Sequence, residues 1–500
     1  MIRAEWIKFR TLPGRVVAVA MAVLVVVLLG ALAAAGVHES CMAGNQEVRC
    51  PAPPTGPDGR AVDDKFSFAH RPLAGDGEIT AHVGAMTGVI TYPPPGHDQI
   101  VAGLVPWAKA GIMVKAGTKP GDAYAAMLLT GHRGVRMQAD FTADRAVPGF
   151  SDAAWLRLKR TGDRVTGYAS ADGATWREIE TVRLPGLPPT AQVGLFVTSP
   201  SDVTEEAGSH GGHVVQARFT QATAEFAGVQ VTGVTPGSPF RYDLVGDDGH
   251  RTDQEKLYPP GVKESAGVLT VTGSGDIAPL GIEGGMSAEN MLTGLAVAVL
   301  IMIVIAVGFG TAEYRRGLIG TTLRASPRRE RVIGAKAVVV GAVTFVVGTI
   351  AAAVTIPLAT ALLHAHAVNV LPAPWWITLR VVLGTGALLA LAALLAYGIG
   401  TVTRRGLPAV VLAVVLLIVP RVLVTSALLP DTAAEWLLRV TPAAGYAIQQ
   451  IIPAYPQVAQ PYAPADGYYP LAPWAGLAVL AVWAAAALAL AVVRTRRADA

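Results

Sequence analysis

Between residues 16 and 37 the chain runs for 22 positions without one charged side chain. About 20 consecutive apolar residues are enough for a helix to cross the hydrocarbon core of a bilayer, and in that core only a helix or a closed barrel satisfies its own backbone. Five more apolar runs follow, at residues 289–310, 335–363, 378–402, 409–429 and 474–494, so six membrane helices are expected, the first over 15–37. A cleaved signal peptide competes for the first run, because it has a basic start and Ala33 to Ala35 resemble a processing site. The run exceeds the usual length of a signal core, which favours an anchor over a mature chain beginning near Gly36.

Composition divides the chain in the same way. At 52% hydrophobic and 15% charged, with mean hydropathy +0.44, it is too apolar for an ordinary soluble protein and too charged for a purely membrane one. Residues 38–288 hold 21 Lys or Arg and 28 Asp or Glu, a net of −7; the rest holds 19 and 8, a net of +11, and together they give the +4 of the whole chain. The basic balance therefore belongs to the membrane part and gives no reason to invoke nucleic acid. Of those 19 basic residues, 16 fall on one side: four in residues 1–15, seven in 313–336, Arg404 and Arg405, then Arg494, Arg496 and Arg497. Only Arg380, Arg421 and Arg439 do not. The positive-inside rule then predicts a multi-pass protein of the cell membrane, with both termini cytoplasmic and residues 38–288 outside. Trp375, Trp376 and Trp474 fall at the outer ends of their runs, where an aromatic belt belongs.

The outer part begins with a linker over 38–63 that holds the chain's two cysteines, Cys41 and Cys50, which most simply form one local disulfide. Two thiols alone fall short of a zinc site. From 64 to 233 the pattern changes to short alternating segments at 78–83, 111–116, 124–130, 155–161, 164–170, 175–180 and 193–199, separated by Gly, Asp and Pro. That spacing reads as an all-β sandwich or jelly roll, with Gly162-Asp163 and Asp172-Gly173 turning hairpins. Residues 234–288 form a second small β element and linker that either packs against the sandwich or completes it. The phrases FSFAHRPLAGDGEITAHV, WAKAGIMVKAG and WLRLKRTGDRVTGYASADGATWREI resemble the concanavalin-A-like, laminin-G-like sandwiches, and the resemblance covers roughly residues 65–231. It implies a surface for glycans or small amphipathic ligands, for which Trp107, Tyr124, Tyr168 and Trp176 are candidates; rings at strand spacing also serve as core. No carboxylate pair stands out for glycoside hydrolysis. The turn Asp247-Asp248-Gly249 is a candidate calcium site that solvation explains equally well.

Residues 313–336 read EYRRGLIGTTLRASPRRERVIGAK, with seven basic residues against two acids, and Pro327 bars a regular helix from running through. Charge alone is satisfied by an ordinary positive-inside loop. An acidic residue, a Gly-Leu-Ile-Gly-Thr segment, Ser-Pro-Arg-Arg and a Lys opening the next helix resemble the loop after the second span in type-2, exporter-like ABC transporter permeases. The resemblance implies that the cytoplasmic coupling loop 311–334 docks on a separate ATPase subunit through Glu313, Arg315, Arg316, Leu318, Ile319, Arg324, Arg328 and Arg329. It also implies an interfacial helix over 1–14, where Ile2, Trp6 and Phe9 recur at helical spacing, and re-entrant or interfacial helices within 430–473, near 434–440 and 446–452.

The chain lacks a G-x-x-x-x-G-K-[ST] phosphate cradle, so ATP would be hydrolysed by another polypeptide and this chain is not expected to be an enzyme. The family resemblance implies two copies of that partner ATPase, which would bind ATP and Mg, beside a second permease copy in a homodimer. Arg421, after Pro420 inside the fifth run, is a candidate pathway residue; lining a substrate path, pairing across a dimer interface and snorkelling outward all account for it. The expected function is export of an amphipathic, lipid-like or antibiotic-type substrate. A ligand-sensing module signalling through the ATPase, or a membrane-tethered glycan-binding protein, are the alternatives.

Overall fold

The structure, a computed structural model, describes all residues except 44, 45, 49, 92–99, 151, 152, 208–212, 248, 250, 251, 282–284, 288, 316–328, 461 and 498–500. Among the described residues six helices are long and apolar enough to cross a membrane: Pro13–Ala35, Leu295–Ala312, Glu330–Ala365, Trp375–Thr403, Gly406–Thr425 and Pro473–Arg497. The fourth lies at the centre, packed against the second, third, fifth and sixth. Its apolar window is 61% buried, against 17% for the first helix, whose Val16, Val17, Leu24, Leu28 and Leu32 form an exposed apolar stripe. Small residues make the central packing close. A Cβ on Gly348 would stand 2.9 Å from Gly386 Cα, and one on Gly398 would stand 2.8 Å from the Ala487 Cβ of the sixth helix.

The fifth helix is broken into Gly406–Leu417 and Val419–Thr425. Pro420 supplies the cause, since it lacks an N–H and its ring crowds the preceding turn. After it come the amphipathic helix Asp431–Val440 and the 3-10 helix Pro442–Gln449. The second of these starts earlier than the expected 446–452 and every residue of it is buried, packed on the fourth and sixth helices rather than lying at an interface. The first helix of the chain, Ile2–Arg10, precedes the apolar bundle.

Residues 60–280 build the β domain. One sheet has seven strands in the order Ala143–Val147, Val135–Ala139, Tyr124–Thr130, Lys109–Lys115, Thr190–Thr198, Phe66–Ala74, Arg241–Val245. The other has nine, with Arg177–Arg183, Arg164–Ser170, Ala154–Thr161, Gly77–Val83, Thr220–Thr232, Val268–Gly273 and Gly261–Ser265 in line. Thr87–Ile90 pairs with Thr220–Thr232 off that line, and Val101–Ala102 pairs with Thr87–Ile90. Ile112, Val114 and Leu195 of the first sheet share one core with Leu156, Leu158 and Val165 of the second, a sandwich. The stretch 234–288 completes the sandwich: Arg241–Val245 joins the first sheet, Gly261–Ser265 and Val268–Gly273 join the second, and Ile277–Pro279 pairs apart from both with Val62–Asp64. Ala154–Thr161 alternates buried and partly exposed positions, as a strand with one covered face must. Lys109–Lys115 and Tyr124–Thr130 are buried at every position, so the seven-stranded sheet is covered on both faces. Cys41 and Cys50 are joined, with an S–S length of 2.10 Å.

Candidate functional site

What covers the outer face of the seven-stranded sheet is a two-stranded ribbon, Val62–Asp64 paired with Ile277–Pro279. These are the segments by which the chain enters the sandwich after the first apolar helix and leaves it before the second. The ribbon is held by two ion pairs closed from solvent: Lys115 Nζ to Asp64 Oδ2 at 2.7 Å and Lys109 Nζ to Asp276 Oδ1 at 2.6 Å. Lys109 also donates to the Ile277 carbonyl at 2.7 Å, and the Gly121 N–H donates to Asp64 at 2.8 Å. Tyr124, Phe66 and Phe141 wall in Lys115, their ring centroids 5.6 to 5.8 Å from its nitrogen. Each ammonium thus has a carboxylate and aromatic or carbonyl partners to replace its water. Burial, helped by the neighbouring Asp276 and Asp64, pushes the half-buried Asp63 carboxyl up to about 7; burial also raises Asp64, against the pull of Lys115.

Beneath the ribbon the sandwich meets the helices. Arg60 Nη1 donates to the Tyr455 hydroxyl, and Gln457 Nε2 donates to the Thr142 carbonyl at 3.4 Å. Asn369, after the third helix, donates twice: its Nδ2 to the Pro51 carbonyl at 3.0 Å and its backbone N–H to Glu39 Oε2 at 3.0 Å. At this junction a half-open cleft of about 270 Å³ is lined by Arg60, by Ile377 and Arg380 of the fourth helix, and by Pro453, Tyr469 and Leu471. Arg380 donates to the Gln450 carbonyl; Glu289 accepts the Ile451 N–H at 2.9 Å; Gln449 Nε2 donates to Thr385 Oγ1 at 3.0 Å. These bonds pin the buried 3-10 segment against the bundle. A larger groove, about 510 Å³, lies beside it between Trp107, Arg133 and Asp202 of the sandwich and Val458, Gln460 and Tyr462.

Arg421 lies on the short helix after the Pro420 break, its guanidinium carbon 4.0 Å from the Tyr446 ring centroid and its Nη1 buried without an acceptor. A cation stacked on a ring is the arrangement expected of a charge held in an apolar setting.

At the other end of the bundle Phe9 is buried edge-on against Phe309, with ring centroids 5.7 Å apart, and Trp6 stacks on Phe9 at 6.4 Å. Arg15 and Lys336 approach the Phe309 ring at 4.8 and 5.4 Å. Ile2 and Trp6 stay exposed, so the expected row of Ile2, Trp6 and Phe9 is divided: Phe9 turns inward beside Glu5, which is the other buried residue of that helix. Glu330 pairs with Arg496, tying the start of the third apolar helix to the end of the sixth. Of the expected coupling residues, Arg316, Leu318, Ile319, Arg324 and Arg328 lie outside the described residues. Glu313 and Arg315 end the helix Leu295–Arg315 and Arg329 opens Arg329–Ala365, with their side chains outside the description.

The four aromatic candidates of the sandwich do not form one face. Tyr124 is sealed under the ribbon, at 1% exposure, and Trp107 is buried with Arg133 and Arg136 over its ring at 5.8 and 5.1 Å. Tyr168 and Trp176 belong to the outer side of the nine-stranded sheet, half-buried, with Arg157 stacked 3.8 Å from the Trp176 ring centroid. Strand alternation identifies rings but not what the rest of the chain lays over them. Of the proposed calcium turn, Asp248 lies outside the described residues; among those described, no cluster of three or more metal-ligating side chains occurs. Lys109, Lys115 and Asp64 left no signal in the sequence, since charged residues inside a strand read as solvent-facing, and Asp276, just before its strand, reads as part of a Gly-rich turn. Arg380 left a signal: it is one of the three basic residues outside the majority charge side.

No family model matches the chain, and no curated protein matches it. Solved structures that share features with it include SCP-B, a member of the Eqolisin family of peptidases in complex with the tripeptide Ala-Ile-His, at 11% identity over 43% of this chain and 99% of that one, with a TM-score of 0.25. A functionally unknown protein from Saccharomyces cerevisiae matches at 15% identity over 34% of this chain and 74% of its own, TM-score 0.19. The GH43 protein BlXynB from Bacillus licheniformis matches at 12% over 34% and 27%, TM-score 0.18. Likeness this slight carries no argument about fold or function.

Proposed function

We propose that this chain is the permease subunit of an ATP-driven, type-2 exporter-like ABC transporter, with the β domain outside the cell for ligand capture or gating. The observation that carries the reading is the basic stretch 313–336, seven cations against two acids, which in sequence links the end of the apolar helix Leu295–Arg315 to the start of Arg329–Ala365. Phe9, Arg15, Lys336 and the Glu330–Arg496 pair gather at that same end, which supports one shared inner side. The chain carries no nucleotide-binding motif, so hydrolysis falls to a separate subunit, two copies serving a permease dimer. ATP-driven closure of that pair would move the loop, and with it the second and third helices, to open a path for an amphipathic cargo.

A second reading, sensing without transport, is favoured by the ribbon Val62–Asp64/Ile277–Pro279, which ties the sandwich directly to the helices on either side of it. A tethered glycan-binding protein has only the outer aromatics in its support.

Because both native cysteines are bonded to each other, a cysteine introduced at Ser326 is the sole reactive thiol. Ser326→Cys is expected to react with an impermeant maleimide in inverted vesicles and not in intact cells, and to cross-link to an ATP-hydrolysing subunit. Arg324→Glu with Arg328→Glu should abolish that association. Labelling in intact cells, or no cross-linked ATPase, would falsify the permease reading. ATP-dependent accumulation of a compound in the vesicles distinguishes export from sensing, in which ATPase activity responds and nothing accumulates.

A further inference from the structure

We infer that the cleft between Arg60 and Arg380 is a binding site for the head of an anionic amphiphile, a single phosphate or carboxylate carried on an apolar body. This deepens the export reading by naming the chemistry of the cargo or of a regulatory lipid, and rests on it only for the direction of movement.

Three observations carry the assignment. First, the cleft joins two guanidiniums to walls that are otherwise almost wholly apolar: Ile377, Pro453 and Leu471, with Tyr469 between. Such a lining suits a molecule with one charged end and a hydrocarbon body. Second, the two cations come from different parts of the chain, Arg60 from the base of the sandwich and Arg380 from the central helix, and lie within Coulombic reach of each other. Like charges converge at a cost unless something negative sits between them. Third, their donors are under-used. A guanidinium offers five N–H donors. Arg60 reaches Tyr455 and Arg380 reaches the Gln450 carbonyl, while the Nε of each is buried with no hydrogen-bond acceptor. Paired arginines with free donors match a phosphate or carboxylate, whose oxygens accept in the same fork geometry.

Two carboxylates offset part of this charge, and neither lines the cleft. Asp58 Oδ2 is 3.3 Å from Arg60 Nε but out of line for a hydrogen bond, and its Oδ1 accepts the Arg60 backbone N–H at 3.1 Å. Glu289, within Coulombic reach of Arg380, has Oε2 on the Ile451 N–H at 2.9 Å. Tyr469 of the cleft lies within electrostatic reach of Arg421, whose guanidinium stacks over Tyr446. The two arginines left over from the majority charge side in the apolar helices, Arg380 and Arg421, thus converge on one end of the bundle.

The test uses the purified full chain in nanodiscs of zwitterionic phosphatidylcholine, with dodecyl phosphate below its micellar concentration as probe and dodecyltrimethylammonium as its cationic counterpart. Binding is read by calorimetry or tyrosine and tryptophan fluorescence. Dodecyl phosphate is expected to bind and the cationic probe not to. Arg60→Gln should raise Kd about tenfold or more, the loss of one charge-assisted contact. Arg380→Gln should do the same; because Arg380 also holds the Gln450 carbonyl, Arg380→Lys, which keeps the charge but not the fork, should lose less affinity than Arg380→Gln and serves as the folding control. Arg439→Gln, on the amphipathic helix Asp431–Val440 where Arg439 pairs with Glu435, should change nothing. Replacing part of the phosphatidylcholine with phosphatidylglycerol separates the sources: competition means that a bilayer headgroup occupies the site, and no competition means a diffusible amphiphile. Equal binding of the two probes, or undiminished affinity in the Arg60→Gln and Arg380→Gln proteins, overturns the assignment. The assay contains no ATPase, so its failure leaves the transport reading standing, and loss of the transport reading leaves the binding result intact.

Discussion

Lys109 and Lys115 sit wholly inside the protein, and each is tolerated only because a carboxylate came in with it. Removing one partner strands the other. Lys115→Met is therefore expected to destabilise the β domain by about 3–5 kcal/mol, while Lys115→Met with Asp64→Leu should recover most of that loss, because two apolar groups leave no charge behind. Thermal unfolding of the full chain in detergent, followed by tryptophan fluorescence, measures both; equal loss in the single and double variants would mean that packing, and not charge, holds the ribbon. Asp63 makes a separate statement about pH. Its carboxyl is raised from 3.8 to about 7, so the folded state keeps a proton that the unfolded chain has already released. The sign follows from linkage: the favourable contribution is complete below about pH 4 and is lost as pH rises to about 7. The expected outcome is a melting temperature that falls over that window, by less than full burial would give because Asp63 keeps some exposure, and a smaller slope in Asp63→Asn.

At the scale of elements, the central helix Trp375–Thr403 shows how a segment apolar on every face finds its neighbours. Close backbone approach does it. Gly398 lies against Ala487, so a side chain there has nowhere to go: its Cβ alone would be 2.8 Å from the Ala487 Cβ. Gly398→Leu should push the sixth helix away, cost about 1–3 kcal/mol or more as overpacking does, and lower the yield of monodisperse protein on gel filtration. The same substitution at Gly308, which has open space around it, should be silent by that measure. The broken fifth helix follows a different logic. Pro420 ends one ladder of hydrogen bonds and starts another, and the cation that follows it is held by the Tyr446 ring of a segment from beyond the next helix.

For the molecule as a whole, both connections between sandwich and helices run through one ribbon, and the cleft with Arg60 and Arg380 lies where that ribbon meets the bundle. Much of this plan is legible in local sequence. Strands Tyr124–Thr130 and Arg164–Ser170 fall on the expected bounds, the six apolar runs are six helices, and Cys41 finds Cys50 nine positions on. Each of these is set by side chains within a few residues of one another: a run of apolar groups, a period of two, a pair of thiols on one short tether. What tertiary structure alone decided is which faces are covered and which charges meet. Nothing near Lys115 announces that Asp64 will lie against it, nothing near Tyr124 foretells the ribbon above it, and Arg60 and Arg380 are 320 positions apart in the chain that brings them to one cleft. Electrostatic partners and burial depend on distance in space. Periodicity reports only the direction in which a side chain leaves its own backbone.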